Sequence, residues 1–127
     1  MAPDPLQEYI EGWRRHDIGA VLSTLTPDCV VVECYGPTYR GRTRVQEWMQ
    51  AWLGAGGRVD DWTITSSGAA PDLAVAEWVF TCTYGGDTAT FEGASVARIE
   101  DGRISYLREY ATTADRYDWT GTWRESG

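Results

Sequence analysis

Apolar residues recur with a helical period in the first part of the chain. Leu6, Tyr9, Ile10 and Trp13 stand at positions i, i+3, i+4 and i+7. This spacing places them on one side of an α-helix, and the polar residues between them fall on the other side. The pattern predicts an amphipathic first helix from Pro5 to His16 whose apolar stripe enters the core.

Two further helices are predicted from their end signals. Asp17 is typical of an N-cap, and a short helix from Ile18 to Leu25 should end at the turn Thr26-Pro27-Asp28, because a residue before proline is disfavoured in the α region. Thr43 and Gln46 have the spacing of a capping box and should begin a third helix. Glycines at positions 54, 56 and 57 should end it.

Strand patterns fill the rest of the chain. Cys29 to Tyr35 is rich in β-branched residues and predicts a first strand on which Glu33 shares a face with Val31. Further strands are predicted from Val59 to Ser66 and from Leu73 to Tyr84. The intervening segments are rich in Gly, Pro, Ser and Asp, which favours turns between these strands.

The last two strands form a predicted hairpin from Phe91 to Tyr110. Its turn, Glu100-Asp101-Gly102-Arg103, contains the Asp-Gly pair that a type I′ turn favours. Alternation along the second strand puts Leu107, Glu109 and Ala111 on one face. A carboxylate between two apolar neighbours on the same face marks Glu109 as a candidate functional residue.

The predicted helices lie mainly in the first half of the chain, and an antiparallel meander of strands follows them. This order is typical of an α+β fold in which a curved sheet closes over the helices. Such a sheet leaves a cavity at its open end. We expect one domain over residues 1–127, with residues 112–127 as a C-terminal tail. Three aromatic residues between positions 115 and 123 suggest that the tail folds back over the cavity or across a partner subunit.

The amino-acid composition excludes or disfavours several classes of partner and chemistry. The formal charge of -8 disfavours nucleic acids and anionic membranes as partners. All 11 basic residues are Arg, which excludes lysine-dependent chemistry. Three cysteines and one histidine do not fit a usual zinc site, so neither a metal nor a cofactor is expected. The cysteines predict buried thiols, and with no export signal or membrane span in the sequence we expect a cytoplasmic protein.

The element order resembles the nuclear transport factor 2-like superfamily, and specifically its SnoaL-like branch. The resemblance covers Leu6 to Ala111 and depends on five short motifs. They are Trp13-Arg14-Arg15-His16-Asp17, Thr26-Pro27-Asp28-Cys29-Val30, Tyr39-Arg40-Gly41-Arg42, Asp101-Gly102-Arg103-Ile104 and Leu107-Arg108-Glu109-Tyr110. The resemblance implies a conical α+β barrel with three N-terminal helices packed in a curved antiparallel sheet. It also implies a deep apolar pocket and a homodimer formed through the outer face of the sheet.

Proteins of this fold include polyketide cyclases, ketosteroid isomerases, epoxide hydrolases, dehydratases and binding modules without catalytic activity, so the site must decide the function. In the limonene-epoxide-hydrolase branch, the last strand carries an acidic residue where this chain has Glu109. The Arg and Asp of that branch would fall on Trp78 and Phe80 here. This chain therefore departs from the hydrolase pattern.

Glu109 is the first candidate for catalysis. If it faces Trp78, Phe80 and Phe91 inside the cone, desolvation should raise its pKa toward the range of a general acid or base at neutral pH. The alternative is a structural ion pair with an Arg such as Arg42.

Glu33 and His16 are the other catalytic candidates. Glu33 has the inward parity of Val31, and two carboxylates in one pocket tend to differ in pKa, giving one acid and one base. The ketosteroid-isomerase pattern, a Tyr on helix one and an acidic base on the first strand, is partly matched by Tyr9 or Trp13 and by Glu33. Alternatively, Glu33 lies at the rim of the pocket.

His16 is a possible proton shuttle at the pocket mouth, or a charge that complements a helix dipole.

Several other residues are candidates for substrate binding. Tyr35, Tyr39 and Ser95 could orient a carbonyl or hydroxyl group by donating hydrogen bonds. Aromatic residues could line the cavity, although each one alone is equally suited to the core. The aromatic candidates are Trp13, Trp48, Trp52, Trp78, Phe80 and Phe91.

These observations predict a cofactor-independent acid–base enzyme. Its substrate would be an apolar small molecule, such as a polyketide, terpenoid or steroid, and its reaction a cyclisation, isomerisation, hydration or dehydration. The alternative is a non-catalytic module that binds a small ligand or dimerises.

Overall fold

The computed structural model describes residues 4–124. Three helices come early in the chain: α1 (Pro5–Arg14), α2 (Ile18–Ser23) and α3 (Arg42–Gly54). Six strands form a single sheet: β1 (Leu25–Val32), β2 (Thr38–Arg40), β3 (Arg58–Ala70), β4 (Leu73–Tyr84), β5 (Asp87–Glu100) and β6 (Arg103–Ala111). The predicted α+β fold is confirmed.

The helix predictions hold except near the ends. The Asp17 side chain accepts a hydrogen bond from the Ala20 amide at the start of α2, as predicted. The Asp4 side chain caps α1, which was not predicted. The capping box predicted for α3 is wrong. The N-cap is Gly41, two residues before Thr43, and no side chain caps the helix. Gly41 has a φ of 87°, which a residue with a side chain would rarely adopt.

The first strand differs most from the prediction. It begins at Leu25, so the turn predicted at Thr26-Pro27-Asp28 is wrong and these residues lie within β1. The pairing of β1 shifts register between Leu25 and Val30, and such an irregularity accommodates a proline in a strand. β1 ends at Val32, which places Glu33 in the loop that follows. The segment after β1 contains the short strand β2, which pairs with β1.

The sheet has the strand order β2-β1-β6-β5-β4-β3. Its four long strands form the predicted antiparallel meander, whereas β1 pairs with β6 in parallel. The predicted hairpin turn is confirmed, because Asp101 and Gly102 have φ values of 51° and 76°. β5 begins at Asp87, four residues before the predicted start, and β3 continues to Ala70.

The helices pack against the inner face of the curved sheet. The buried residues of α1 belong to the same core cluster as small inner-face residues of β4 and β5, including Ala74, Ala76 and Ala97. Leu107 and Glu109 of β6 are also buried on this inner face, while Tyr110 is exposed on the outer face, as the alternation predicts. Within the described residues, no helix is long and apolar enough to cross a membrane.

The tail after β6 has no regular structure between residues 112 and 124. It is held against β5 by an ion pair of 2.7 Å between Arg116 and Glu92. Trp119 and Trp123 pack on each other with ring centroids 5.1 Å apart and are exposed. Neither tryptophan lines the pocket, so within residues 112–124 the prediction that the tail covers the cavity is not supported.

Candidate active site

A pocket opens between the helices and the inner face of the sheet. It contains about 610 Å³ of empty space, including its open mouth. Eight of its thirteen lining residues are aromatic, which makes it an apolar pocket. The lining residues are Trp13, Glu33, Cys34, Tyr35, Trp48, Trp52, Val59, Trp62, Trp78, Phe80, Cys82, Phe91 and Glu109.

Glu109 is the most deeply buried ionisable residue of this lining. β6 directs its side chain into the pocket, and only 8% of the residue is exposed. Burial raises the pKa of the Glu109 carboxyl to about 8, and the negative charge of Glu33 adds to the increase. Within residues 4–124, no Arg or His lies in ion-pair range of this carboxyl. The predicted alternative, an ion pair with Arg42, is not found, because Arg42 donates to the Leu25 carbonyl instead.

Ser95 is the hydrogen-bonding neighbour of Glu109. It is fully buried on β5, directly opposite Glu109 in the pairing of β5 with β6. The Trp78 indole donates to Ser95 Oγ at 2.9 Å, and Ser95 Oγ donates to Glu109 Oε2 across 3.5 Å. Because the indole N–H can only donate, the hydroxyl proton of Ser95 is left free for the carboxyl. Ser95 was predicted to bind substrate, but it contacts Glu109 and does not line the pocket.

Gly93 lets the Trp78 ring lie close against β5. A Cβ atom at this position would overlap both the Trp78 ring and the Tyr110 carbonyl oxygen. The glycine therefore sets the position of the Trp78 indole, and through it the hydrogen bond to Ser95.

Glu33 is the second carboxylate of the pocket and is half-buried. Its pKa is raised by burial, but Tyr39 opposes this increase by donating a hydrogen bond of 2.9 Å to Glu33 Oε1. The Tyr39 ring stacks on Trp48 with centroids 4.1 Å apart and planes 6° from parallel. Tyr39 was predicted to contact substrate, and the structure instead places it behind Glu33 as its hydrogen-bond donor.

Two thiols also line the pocket. Burial raises the pKa of the Cys34 thiol to about 11, and the carboxylates Glu109 and Glu33 add to this increase. Burial also raises the pKa of the Cys82 thiol. Since the thiolate is the nucleophilic form, neither cysteine is suited to nucleophilic catalysis at neutral pH.

His16 lies outside the pocket lining. Its Nε2 accepts a hydrogen bond of 3.0 Å from the Val59 amide, so this nitrogen holds the start of β3 in place. The predicted proton shuttle at the pocket mouth therefore lacks geometric support. α1 ends at Arg14, so His16 lies two residues beyond the last helical residue, with a φ of 55°.

The other predicted wall residues all reach the pocket: Trp13, Tyr35, Trp48, Trp52, Trp78, Phe80 and Phe91. The sequence interpretation missed Trp62 and the pocket roles of Val59 and the two thiols. A register shift between Val59 and Asp61 puts Val59 and Trp62 on the same side of β3, although they are three residues apart. Strict alternation would separate them, so no simple pattern indicated Trp62.

Some donors in this region lack a partner. Among the described residues, the buried indole N–H groups of Trp13 and Trp62 and the hydroxyl of Tyr9 form no hydrogen bond. Unpaired donors are costly in an apolar environment, and a ligand oxygen could satisfy the two indoles, because Trp13 and Trp62 line the pocket and Tyr9 does not. In the same part of the chain, no group of three His, Cys, Asp or Glu residues is arranged to hold a metal ion.

The arrangement combines a carboxyl group that keeps its proton at neutral pH with a second, less buried carboxyl and an aromatic wall. A buried carboxyl of this kind can give a proton to a bound molecule and take one back. Trp78 and Phe80, on which the resemblance predicts the Arg and Asp of the epoxide-hydrolase pattern to fall, line the pocket as uncharged aromatic residues.

Comparison with known proteins agrees with the fold. A family model for the SnoaL-like domain matches residues 6–107. No curated protein matches the chain in sequence. Among solved structures, an LEH-like epoxide hydrolase of M. tuberculosis superposes with a TM-score of 0.76 at 20% identity, covering 85% of this chain and 80% of that one.

Two other structures are similarly close. A proposed polyketide cyclase from Xanthomonas campestris pv. campestris has a TM-score of 0.69 at 23% identity, covering 84% and 86% of the two chains. A protein from Catenulispora acidiphila with a ketosteroid isomerase-like fold, solved with trimethylamine, has a TM-score of 0.74 at 19% identity, covering 89% and 88%. At these identities the likeness shows a common fold.

Proposed function

We propose that this chain, which belongs to the SnoaL-like domain family, is an acid–base enzyme acting on a largely apolar small molecule. The observation that carries the proposal is the Glu109 carboxyl, buried in an aromatic pocket with no cationic partner among residues 4–124. A carboxyl kept in this state costs stability, and such groups concentrate at catalytic sites.

In this proposal Glu109 is the general acid. With a pKa of about 8, it is mostly protonated at neutral pH and can donate to a carbonyl or leaving oxygen. Glu33, held by Tyr39 and less buried, is its partner and accepts a proton in the opposite step. No cofactor is needed for such a proton exchange. The reaction class is a cyclisation, isomerisation, hydration or dehydration.

The test is Glu109→Gln in an enzyme whose substrate has been found by screening polyketide, terpenoid and steroid compounds. This change keeps the shape of the protonated side chain and removes its proton transfer. We expect kcat/KM to fall by about 10²–10⁴. The matched control is Glu77→Gln, which changes an exposed residue of β4 and should have no effect. A Glu109→Gln variant within about threefold of wild type would overturn the proposal.

The pH profile provides a second test. Since the general acid must carry its proton, kcat/KM of the wild type should fall above about pH 8. A profile that instead rises through pH 8 would indicate that Glu109 works as a base.

A binding module without catalysis is the second candidate. It is favoured by the absence, within the described lining, of the charged pair found in the hydrolase pattern. In that case the pocket would bind its ligand without turnover, and Glu109→Gln would change affinity only.

We also propose that two copies of the chain associate through the outer face of the sheet. This face exposes Val75 and Tyr110, with 40% and 52% of each residue accessible. Light scattering should give the mass of a dimer, and Val75→Glu should shift the measured mass toward that of the monomer.

We propose a cytoplasmic location as well, because three free cysteines suit a reducing compartment.

A further inference from the structure

The charge of the pocket is one-sided. Its lining contains two acidic side chains, Glu33 and Glu109, and among residues 4–124 none of the 11 Arg side chains lines it. Glu109 keeps its proton at neutral pH, which leaves Glu33 as the carboxylate of the pocket. A buried carboxylate is costly without a counter-charge, and the protein supplies Glu33 with a hydrogen bond from Tyr39 but with no positive charge. A bound ligand is therefore the available source of one.

The walls of the pocket have a form that suits a cation. Trp13 and Trp48 meet at 54° with centroids 4.9 Å apart. Trp62 meets Trp78 at 86° and Phe80 at 77°, over 5.4 and 5.1 Å. Rings inclined in this way form walls in several directions, unlike a flat stack. The electron-rich faces of several aromatic rings attract ammonium groups, and Trp does so most strongly.

We infer that the ligand of this pocket carries a positively charged alkylammonium group, which lies among the tryptophan rings and faces the Glu33 carboxylate. The inference rests on the proposed function only in using the same pocket as the ligand site. It adds a substrate class: an apolar molecule with a basic amino or quaternary ammonium group. Neutral polyketides and anionic acids would lack the group that balances the pocket charge.

The chain as a whole favours such a ligand. Its formal charge of -8 attracts cations toward the surface and repels anions. Glu33 is the suitable counter-charge because it is only half-buried and its bond from Tyr39 favours the ionised form. Glu109 remains free for proton transfer.

Two probes of nearly equal shape test the charge. Choline carries a trimethylammonium group, and 3,3-dimethylbutan-1-ol has a neutral carbon in place of the nitrogen. Titration of the full chain by calorimetry at low salt should show choline binding at least tenfold more tightly than the alcohol. Equal affinities, tighter binding of the alcohol, or no binding of choline would overturn the inference.

Variants locate the interaction. Glu33→Gln should weaken choline binding about tenfold and leave the alcohol unchanged, whereas Glu77→Gln should alter neither. Phe80→Leu keeps an apolar wall but removes one of the inclined ring faces, and should weaken choline binding by about threefold. If Glu33→Gln fails to fold by circular dichroism, the Phe80→Leu result decides. Unchanged choline affinity in the folded variants would place the cation elsewhere and refute the site.

The outcomes separate this inference from the proposed enzyme activity. Turnover that depends on Glu109, together with equal binding of the two probes, would refute the cation and retain the enzyme. Selective choline binding with no effect of Glu109→Gln on turnover would retain the cation site and refute the acid–base role.

Discussion

Glu109 and Glu33 bring the same carboxyl group into one pocket, but the protein surrounds them differently. Glu109 projects from the middle of β6 and has a hydroxyl neighbour 3.5 Å away. Glu33 lies in the loop after β1 and receives a shorter bond of 2.9 Å from Tyr39. Burial is the leading cause of the raised pKa at both residues, and only Glu33 has a strong opposing bond. The strand position of Glu109 thus keeps its side chain protonated, whereas the loop position of Glu33 favours the ionised carboxylate.

The largest expected effect comes from removing the deep carboxyl. At low pH the Glu109 side chain is protonated in both the folded and the unfolded chain, so Glu109→Gln should match the wild type in stability. Above the usual carboxyl pKa the unfolded chain ionises, while the folded chain keeps its proton up to about pH 8. The wild type therefore loses stability as the pH rises, on the order of 4 kcal/mol by pH 8, and the variant does not.

Urea unfolding of the two proteins between pH 4 and pH 9 measures this difference, with Glu77→Gln as the control. A constant difference across that range would mean that Glu109 titrates normally, and the contrast with Glu33 would disappear.

The next effect concerns the support of Glu109. Ser95→Ala removes the hydroxyl that accepts a hydrogen bond from Trp78 and donates one to Glu109. The buried Trp78 indole and the Glu109 carboxyl then both lose their hydrogen-bond partner. We expect the free energy of unfolding to fall by about 1–3 kcal/mol and the pKa of Glu109 to rise further. Ser66→Ala, at an exposed position of β3, is the control for losing a serine hydroxyl. An unchanged Glu109 pKa would show that Ser95 has only a packing role.

A smaller effect is expected on the Glu33 side. Tyr39→Phe keeps the ring that stacks on Trp48 and removes only the hydroxyl. The pKa of Glu33 should rise, because the bond that favours its ionised form is lost, and stability should fall by about 0.5–1.5 kcal/mol. Carboxyl ¹³C chemical shifts followed by NMR report both glutamates in one titration. A larger shift at Glu109 than at Glu33 would contradict the separation of the two environments.

The smallest effect tests how far the carboxylates influence each other. Glu33→Gln removes a negative charge, so the pKa of Glu109 should fall, but it should stay above the usual carboxyl range because burial is the larger cause. The same NMR titration measures it. A return of the Glu109 pKa to the ordinary value would show that charge repulsion, and not burial, governs this residue.

The position of Glu109 could be predicted from sequence because its determinants are local. The Asp101-Gly102 turn fixes the register of the hairpin, and alternation along β6 then assigns the inward face. The amphipathic stripe of α1 was recognisable for the same reason. Such features depend on residues a few positions apart.

The surroundings of the two carboxylates could not be predicted, because they depend on contacts distant in sequence. β2 has only three residues and exists by pairing with β1. The register shift after Val59 that turns Trp62 inward has no signal in alternation. His16, the only histidine of the sequence, was predicted as a possible proton shuttle, yet its Nε2 accepts a hydrogen bond from the backbone amide of Val59. Residue type alone does not identify a structural role of this kind.

The parallel pairing of β1 with β6 has a consequence for how the protein is made. β1 is synthesised before β3, β4 and β5, and β6 is synthesised after them, with Val31 beside Leu107 in the finished sheet. During synthesis β1 must wait until β6 has been made before its second neighbour exists. Pairing across such a long separation slows folding and exposes strand edges meanwhile. β6 therefore joins β1 to the meander and adds Glu109 to the pocket, and a chain truncated before β6 would lack both features.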